Sequence, residues 1–337
     1  MTKILFTMRD GTYGHDDYGV IVDSASFDKL KSLGELFERP DVDSPEKLSA
    51  ALSESQAEVL ITCWGSPKVT AEVYGANPQL KYMCHVAGTV RPYVDREAIE
   101  GGLLVSNWGR VIARSVAEAA LMMTLSGLRH TTRVQFELHA RKGWRCEAAH
   151  TEGLFGQKVG LHGLGGIAQE LVKLMAPFGC EISAYSPHCP DSVFEQFGVA
   201  RAETLEQLYS ENRVISVHAS KTDENHHIVN ADLLAKMQDG AVIVNTARGA
   251  VIDTEALVAE LKTGRIEAAL DVFEEEPLSE DHPLRGLENC QLIPHMGGPT
   301  PDRRRDMGAL GVAQVERYLA GEELQNVVTA AKYDLIT

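Results

Sequence analysis

The sequence predicts an α/β protein built from two doubly wound parallel-sheet domains. Three observations carry that prediction. Short apolar runs alternate with amphipathic stretches along the 337 residues, the pattern of parallel strands joined by crossover helices. That length accommodates two domains of ordinary size, each able to bury a core. Near the middle, Lys158 to Ala168 reads Lys-Val-Gly-Leu-His-Gly-Leu-Gly-Gly-Ile-Ala, an apolar run followed by Gly163-x-Gly165-x-x-Ala168. Apolar residues at helical spacing follow from Gln169 to Met175, and Glu181–Tyr185 supplies a second strand at a suitable distance. Strand, glycine turn and helix together open a Rossmann-type nucleotide-binding unit, with a plain strand-turn-helix as the bland alternative. Gly163 allows the tight turn, and Gly165 lets the backbone approach a pyrophosphate. Ala168 lets the helix pack close to the strand, where the pattern often has a third glycine. The phosphates then lie on free N–H groups at the helix start, among Leu164, Gly166 and Ile167.

The N-terminal part repeats the alternation. Ile4–Phe6 reads as a first strand. The polar, glycine-rich loop Asp10–Gly19 reads as a surface excursion more readily than as an active-site loop. Ser44-Pro45-Glu46 starts a helix, with a capping serine and proline at the first helical position. Val59–Thr62 is a strand that ends in Cys63-Trp64-Gly65-Ser66-Pro67. Leu80–His85 is another, followed by Val86-Ala87-Gly88-Thr89, and Leu103–Val105 is a third. Ligands of such sheets sit beyond the carboxyl ends of strands. Trp64–Ser66 and Ala87–Thr89 are therefore candidate substrate loops, with turn chemistry an equal alternative. Val111–His130 reads as a long helix with Val116, Ala119, Ala120, Met123 and Leu125 on its apolar face. Such a helix joins two domains or packs a subunit interface. Thr131–Lys142 is helical too, and a linker from Cys146 to Gly156 leads into the glycine turn.

After Tyr185 the second strand ends in Ser186-Pro187-His188. An NAD site usually places an acid here to accept hydrogen bonds from the ribose hydroxyls. Ser186 would not repel a 2′-phosphate, yet no Arg or Lys follows until Arg201, so no phosphate clamp is evident. Both NAD and NADP stay open, with NAD slightly favoured. Val214–Val217 is a strand ending at His218. Asn230 caps a short helix through Met237, Ala241–Val244 is a strand followed by Asn245-Thr246-Ala247-Arg248-Gly249, and Asp253 caps a helix to Lys262. Ile266–Leu270 is a strand ending at Asp271, and Gln291–Ile293 is the last strand, followed by Pro294-His295-Met-Gly297-Gly298. Thr300–Leu319 is helical, and its run Arg303–Arg305 reads as a solvated face.

Three positions beyond these strand ends carry chemistry: Arg248, Glu276 and His295. A guanidinium holds a carboxylate through two parallel hydrogen bonds and can polarise a carbonyl. A histidine exchanges a proton near neutral pH, and a carboxylate bonded to it fixes its tautomer and favours its protonated form. A nicotinamide beside them would exchange hydride. Each residue alone has a bland reading: a structural arginine, one more member of the acidic run Glu274–Glu276, a turn histidine after proline. The conjunction points to a redox site.

At these residues the sequence resembles a known family. Asn245-Thr-Ala-Arg-Gly-Ala-Val-Ile-Asp253, Ala269-Leu-Asp-Val-Phe-Glu-Glu-Glu-Pro277 and Pro294-His-Met-Gly-Gly298 are similar to signature blocks of the D-isomer-specific 2-hydroxyacid dehydrogenases. Ser115-Val-Ala-Glu118 and Val214–Thr222 are similar to further family segments. The resemblance implies a Rossmann-type nucleotide-binding domain, residues 110–298, inserted into a flavodoxin-like substrate domain, residues 1–109 and 299–337. It implies NAD(P)-dependent interconversion of a small 2-keto acid and its D-2-hydroxy acid. Arg248 would bind the substrate, and His295 would be the acid/base with Glu276 as its partner. Asp271 would hold the nicotinamide carboxamide, and His218, Ala219 and Thr222 would line the cofactor. Ser186, His188, Thr246, Ala247 and Gly297 would complete the cofactor set, with Arg248 and His295 beside it. Trp64, Gly65, Ala87, Gly88 and Thr89 would join Arg248 and His295 at the substrate. A homodimer through the 111–130 helix is also implied. The departures are Ser186 for the usual acid, Ser220 where the family often has Pro, and Ile112 where a polar residue is common. The Trp64 loop has no basic residue except Lys68, which favours a plain acid over a phosphorylated one.

Other readings compete. A formate dehydrogenase would pair its histidine with glutamine rather than with Glu276. A dinucleotide-sensing corepressor would keep the fold and much of the site. A zinc alcohol dehydrogenase would need a ligand set that the isolated pairs His188-Cys189 and His226-His227 do not make. Composition narrows the field further. The net charge of −16 disfavours nucleic acid as a partner, since phosphate backbones attract basic surfaces. No apolar run approaches membrane-spanning length. Six cysteines, at 63, 84, 146, 180, 189 and 290, form no CxxC pair and read as reduced, mostly buried thiols. Met1–Asp10 is too short and too soon charged for a signal peptide, so the expected location is cytoplasmic, and no metal is expected because no cysteine or histidine set has ligand spacing.

Overall fold

The structure is a computed structural model that describes residues 1–144 and 150–333; Cys146 lies outside the described residues. The chain forms two compact units, residues 1–112 with 299–337, and residues 113–298.

The first unit begins β1 (Lys3–Phe6), α1 (Ser24–Leu33), β2 (Glu35–Glu38), α2 (Pro45–Ser55), β3 (Val59–Thr62), α3 (Ala71–Ala76), β4 (Tyr82–His85), α4 (Arg96–Glu100) and β5 (Leu104–Ser106). Its sheet is wholly parallel, in the order β2-β1-β3-β4-β5. Every residue of β3 and β4 is buried, because helices cover both faces, so these strands read as unbroken apolar runs rather than alternating ones. Leu5, Leu60 and Met83 face one core with Leu48 and Leu52 of α2, while Ile4, Phe6, Ile61 and Tyr82 face another with Phe27 of α1. Ser44 Oγ accepts from the Lys47 N–H at 3.3 Å with Pro45 in the first turn, so α2 starts where its sequence says. β2 had no sequence signal. It is an edge strand, Glu-Leu-Phe-Glu, with exposed charge at both ends and no alternation to betray it.

The second unit runs α5 (Ala113–Leu128), α6 (Thr131–His139), β6 (Lys158–His162), α7 (Gly166–Met175), β7 (Glu181–Tyr185), α8 (Asp191–Phe197), β8 (Ala200–Arg201), α9 (Leu205–Glu211), β9 (Val214–Val217), α10 (Ala231–Lys236), β10 (Val242–Asn245), α11 (Thr254–Lys262), β11 (Glu267–Leu270) and β12 (Cys290–Leu292). Its seven parallel strands lie in the order β12-β11-β10-β9-β6-β7-β8. β8 also escaped the sequence; two residues are too few for any periodicity. Asn230 and Asp253 cap α10 and α11 through their side chains. α5 packs on α7, β10 and β11 through Ala117, Ala120, Met123 and Leu128. At its end the buried Glu267 of β11 takes Arg133 of α6 at 2.8 Å, and His130 Nδ1 lies 3.0 Å from the same carboxylate. That pairing holds His130 above the ordinary histidine range. It ties the α5–α6 corner to the sheet, and an unpaired Glu267 there would be costly.

α12 (Arg304–Leu319) belongs to the first unit, where it packs on α1 and β4. Of the cationic run at its start, Arg303 and Arg305 are exposed as expected. Arg304 is not fully so: its Nε is buried with no hydrogen-bond partner among the described residues. Cys63, Cys84 and Cys290 are buried, and all five described cysteines are free thiols.

Candidate active site

The strand order of the second unit reverses between β6 and β9, and ligands of open α/β sheets bind at such a switch point, beyond the strands' carboxyl ends. Gly163 follows β6 there with φ +104°, and a Cβ on it would lie 2.9 Å from the His218 carbonyl oxygen after β9. Only glycine satisfies both conditions. The two strand ends are thereby closed on one another, and the backbone turns up into α7. Leu164 is buried, and Gln169 Nε2 donates to its carbonyl at 3.0 Å. Gly165 precedes the helix with open space where a side chain would stand, while Gly166 and Ile167 form its first turn. Ala168 is fully buried under the helix.

The remaining strand ends bring the other candidates in from β7, β9 and β10. His218 is pushed down to about 4 by burial and by the neighbouring His162, so it stands neutral, its Nε2 2.9 Å from Ser216 Oγ. Ala219 is buried beside it, and Thr222 Oγ1 accepts from the Asn225 N–H at 3.2 Å. After β10 the Thr246 hydroxyl is buried with no partner among the described residues. Buried hydroxyls rarely go unpaired, so this oxygen is suited to a ligand. Ser186 is half-buried and His188 exposed after β7.

Arg248 is held by its own loop. Ala247 N–H donates to Asn245 Oδ1 at 3.0 Å, Asn245 Nδ2 donates to the Arg248 carbonyl at 3.0 Å, and Arg248 Nη1 reaches the Ala247 carbonyl at 2.6 Å. The next residue, Gly249, sits against the Phe273 backbone where any Cβ would collide. The Arg248 loop is thus pressed onto the turn that carries Glu276.

The acidic run after β11 is divided between tasks. Glu274 accepts from the Thr254 N–H and pairs with His227 Nε2, both at 2.8 Å. Glu276 Oε1 accepts from the Phe273 N–H at 2.9 Å, and its Oε2 lies 2.7 Å from His295 Nδ1. Glu276 is 35% and His295 52% exposed, so the pair is reachable from solvent. His295 sits in the left-handed region, φ +52°, a strained placement for a residue with a side chain. Buried Asp271 holds it there. Its carbonyl accepts from the His295 N–H, while its carboxylate accepts from the Met296 and Gly297 N–H groups at 2.8 to 3.0 Å. Burial pushes the Asp271 carboxyl above its ordinary range against those bonds. A cavity of about 510 Å³ opens beside the pair, lined by Phe273, Pro277, Leu278, Arg285 and Leu292 among others.

One residue absent from the sequence-level set belongs here. β8 lies beside β7, so Arg201 reaches back 15 positions to the Ser186 carbonyl at 3.4 Å, and to the Cys189 carbonyl at 3.0 Å. A cation therefore does stand at the end of β7, contrary to the reading of Ser186-Pro187-His188 in isolation. The candidate substrate residues of the first unit lie at its own strand ends. Trp64 and Gly65 are exposed after β3, and Ala87, Gly88 and Thr89 follow β4, the first two buried.

A family model described as D-isomer specific 2-hydroxyacid dehydrogenase, NAD binding domain, matches residues 121–297. Hydroxypyruvate reductase of Thermotoga maritima is 38% identical over 75% of this chain and 82% of its own. D-3-phosphoglycerate dehydrogenase of Methanocaldococcus jannaschii is 34% identical over 92% of this chain, which spans only 59% of that relative's length. The crystal structure of a glyoxylate reductase from Paecilomyes thermophila superposes with a TM-score of 0.79 at 25% identity, covering 97% of this chain and 98% of its own. These relatives are named as dehydrogenases and reductases, which does not favour a corepressor. Both the family model over residues 121–297 and the relatives across most of the chain lead to one conclusion: the chain belongs to the D-isomer-specific 2-hydroxyacid dehydrogenase family.

Proposed function

We propose that this protein reduces a small 2-keto acid to its D-2-hydroxy acid, and runs the reverse reaction, with NAD or NADP as partner. The 2.7 Å contact between His295 Nδ1 and Glu276 is the observation that carries the reading. It fixes the tautomer that leaves Nε2 to give or take the proton of the reacting oxygen. Arg248 holds the substrate carboxylate and polarises the carbonyl. Ala87, Gly88 and Thr89 offer backbone N–H groups to a carboxylate, and Trp64 and Gly65 contact the substrate's remainder. Asp271 positions the His295–Gly297 turn and the nicotinamide amide.

The nucleotide fits residues of this chain. Gly165 leaves the start of α7 bare for a pyrophosphate, and the unpartnered Thr246 hydroxyl offers it a hydrogen bond. Gly163, Leu164, Gly166, Ile167, Ser186, His188, His218, Ala219, Thr222, Ala247 and Gly297 complete the cradle. When bound, the nicotinamide supplies or accepts the hydride.

Arg201 pairs with Asp191 at 2.6 Å, but that carboxylate side chain is 83% exposed. The guanidinium also holds the Ser186 and Cys189 carbonyls at 3.4 and 3.0 Å, which fixes a cation at the end of β7 where a 2′-phosphate would stand. Reduced cofactor consumption is to be measured with a panel of 2-keto acids. We expect turnover with both NADH and NADPH, with discrimination below about 100-fold, on the order of 2–3 kcal/mol. Ser186→Asp should move preference toward NADH, and Arg201→Leu should weaken NADPH use more than NADH use. Cofactor binding without turnover of any keto acid would favour a sensor and contradict the proposal.

Two copies pair through the 111–130 helix in this reading. Met122 on α5 is 48% exposed, and α6 carries Val134, Phe136 and Leu138 without burying any of them fully. A sedimentation mass of one chain at micromolar concentration would contradict it.

A further inference from the structure

The geometry points to Arg9 as the residue that selects the substrate, a 2-keto acid carrying a second negative charge at its far end. The inference rests on the keto-acid reading above and is argued from the first unit alone.

In that unit the strand order reverses between β1 and β3, so its own switch-point crevice lies beyond their carboxyl ends. β1 continues there into Thr7-Met8-Arg9, and β3 into Cys63-Trp64-Gly65-Ser66. Buried Ser66 fastens the two together. Its hydroxyl donates to the Thr7 carbonyl at 3.0 Å and accepts from the Cys63 N–H at 3.1 Å, and Thr7 Oγ1 donates to it at 3.3 Å. Arg9 is thus launched from a fixed point. Gly65 has φ +81°, and a Cβ on it would run into the Arg9 guanidinium. The guanidinium lies across bare backbone.

This cation is available. Arg9 is exposed, and among the described residues its guanidinium makes no ion pair and no hydrogen bond. That is notable in a chain with 48 acidic and 32 basic side chains. Lys68, the basic residue that the loop's sequence suggested, is taken by Asp95 at 2.6 Å. The Asp10 carboxylate beside Arg9 in the chain accepts the Tyr13 hydroxyl at 3.5 Å. On the other flank of the β3 end stands Arg304, with its buried, unpartnered Nε; its positive charge works against the burial that pushes the Cys63 thiol up to about 12.

Between Arg9 and the Ala87–Thr89 loop stands an aromatic wall. The rings of Trp64 and Trp108 meet edge to face at 5.7 Å. Trp108 in turn covers Gly88, whose carbonyl accepts from Asn107 Nδ2 at 2.7 Å. Backbone N–H groups for one carboxylate, two indoles for a short carbon skeleton and a planar cation at the far end suit a two-headed anion. A guanidinium takes either a carboxylate or a phosphate bidentately.

The test compares 2-oxoglutarate, 2-oxohexanoate and 3-phosphooxypyruvate with wild type, Arg9→Gln and Arg9→Lys. The first two are close in length and differ in the distal charge, and the third exchanges the distal carboxylate for phosphate. Wild type should prefer at least one charged acid. Arg9→Gln should lower kcat/KM for it by about 10- to 100-fold, mostly through KM, the worth of a charged hydrogen bond. The neutral acid should change little, and Arg9→Lys should recover part of the loss. The ratio of the two charged acids identifies which anion is read. Equal efficiency on charged and neutral acids, or equal loss on both in Arg9→Gln, overturns the inference and leaves the oxidoreductase reading standing. No turnover of any of the three by a wild type that turns over another 2-keto acid overturns the inference alone, and no turnover of any keto acid overturns both.

Discussion

Replacing His295 with Ala should lower keto-acid reduction by about 100- to 10,000-fold, the usual worth of a positioned acid/base. Reduction needs a proton on the carbonyl oxygen as hydride arrives, and oxidation needs the same group to take that proton away. His295 is built for one such position. Its backbone is held in the left-handed region by the Asp271 carbonyl, and its Nδ1 is held by Glu276 at 2.7 Å. The side chain is half-exposed, so truncation opens no core cavity and the fold should survive. Kinetics and nucleotide binding are measured together. Lost turnover with retained cofactor affinity is expected, and turnover within a few-fold of wild type would remove His295 from the chemistry.

Arg248→Lys should cost about 100-fold in kcat/KM, comparable to losing a donor from a preorganised anion site. The substitution keeps the charge, so a purely electrostatic role would survive it. A planar fork that grips a carboxylate and a carbonyl together would not. The Asn245 side chain, bonded to the Ala247 N–H and the Arg248 carbonyl, fixes the backbone from which that fork projects. Lysine would leave from the same point with one tetrahedral head. KM for the keto acid should rise and kcat should fall, with cofactor affinity nearly unchanged. Unaltered keto-acid kinetics would take Arg248 out of the site.

How much of this the chain declares in advance depends on where the partners lie. β3, β9 and β10 announce themselves as fully buried runs between polar turns, and the glycine turn announces β6 and α7. β2 and β8 do not, because a short edge strand needs no buried face of its own. Arg248, Glu276 and His295 were legible as residues beyond strand ends. Glu276 could equally be read as one more member of its acidic run; the structure separates the run by giving Glu274 to His227 and Thr254 and Glu276 to His295. The hold of Asp271 on the His295–Gly297 turn was not legible, since it depends on the parallel pairing of β11 with β12. Arg201 at Ser186 and Arg9 at Gly65 were missed for the same reason. Each reaches its place through a neighbouring strand, and reading one loop at a time finds neither.

The pH dependence of kcat/KM for keto-acid reduction, in wild type and Glu276→Gln, tests the Glu276–His295 pair most directly. Glutamine keeps the size and hydrogen-bonding capacity of Glu276 and removes its charge. The Glu276 carboxylate, 2.7 Å from His295 Nδ1, fixes the tautomer and turns Nε2 toward the reacting oxygen. With the charge gone the tautomer is no longer fixed, so the whole profile should drop by about 10- to 100-fold for reduction and for hydroxy-acid oxidation, with cofactor affinity nearly unchanged. Superimposable profiles in a folded Glu276→Gln protein would contradict the pair and leave Glu276 as one more member of a solvated acidic run.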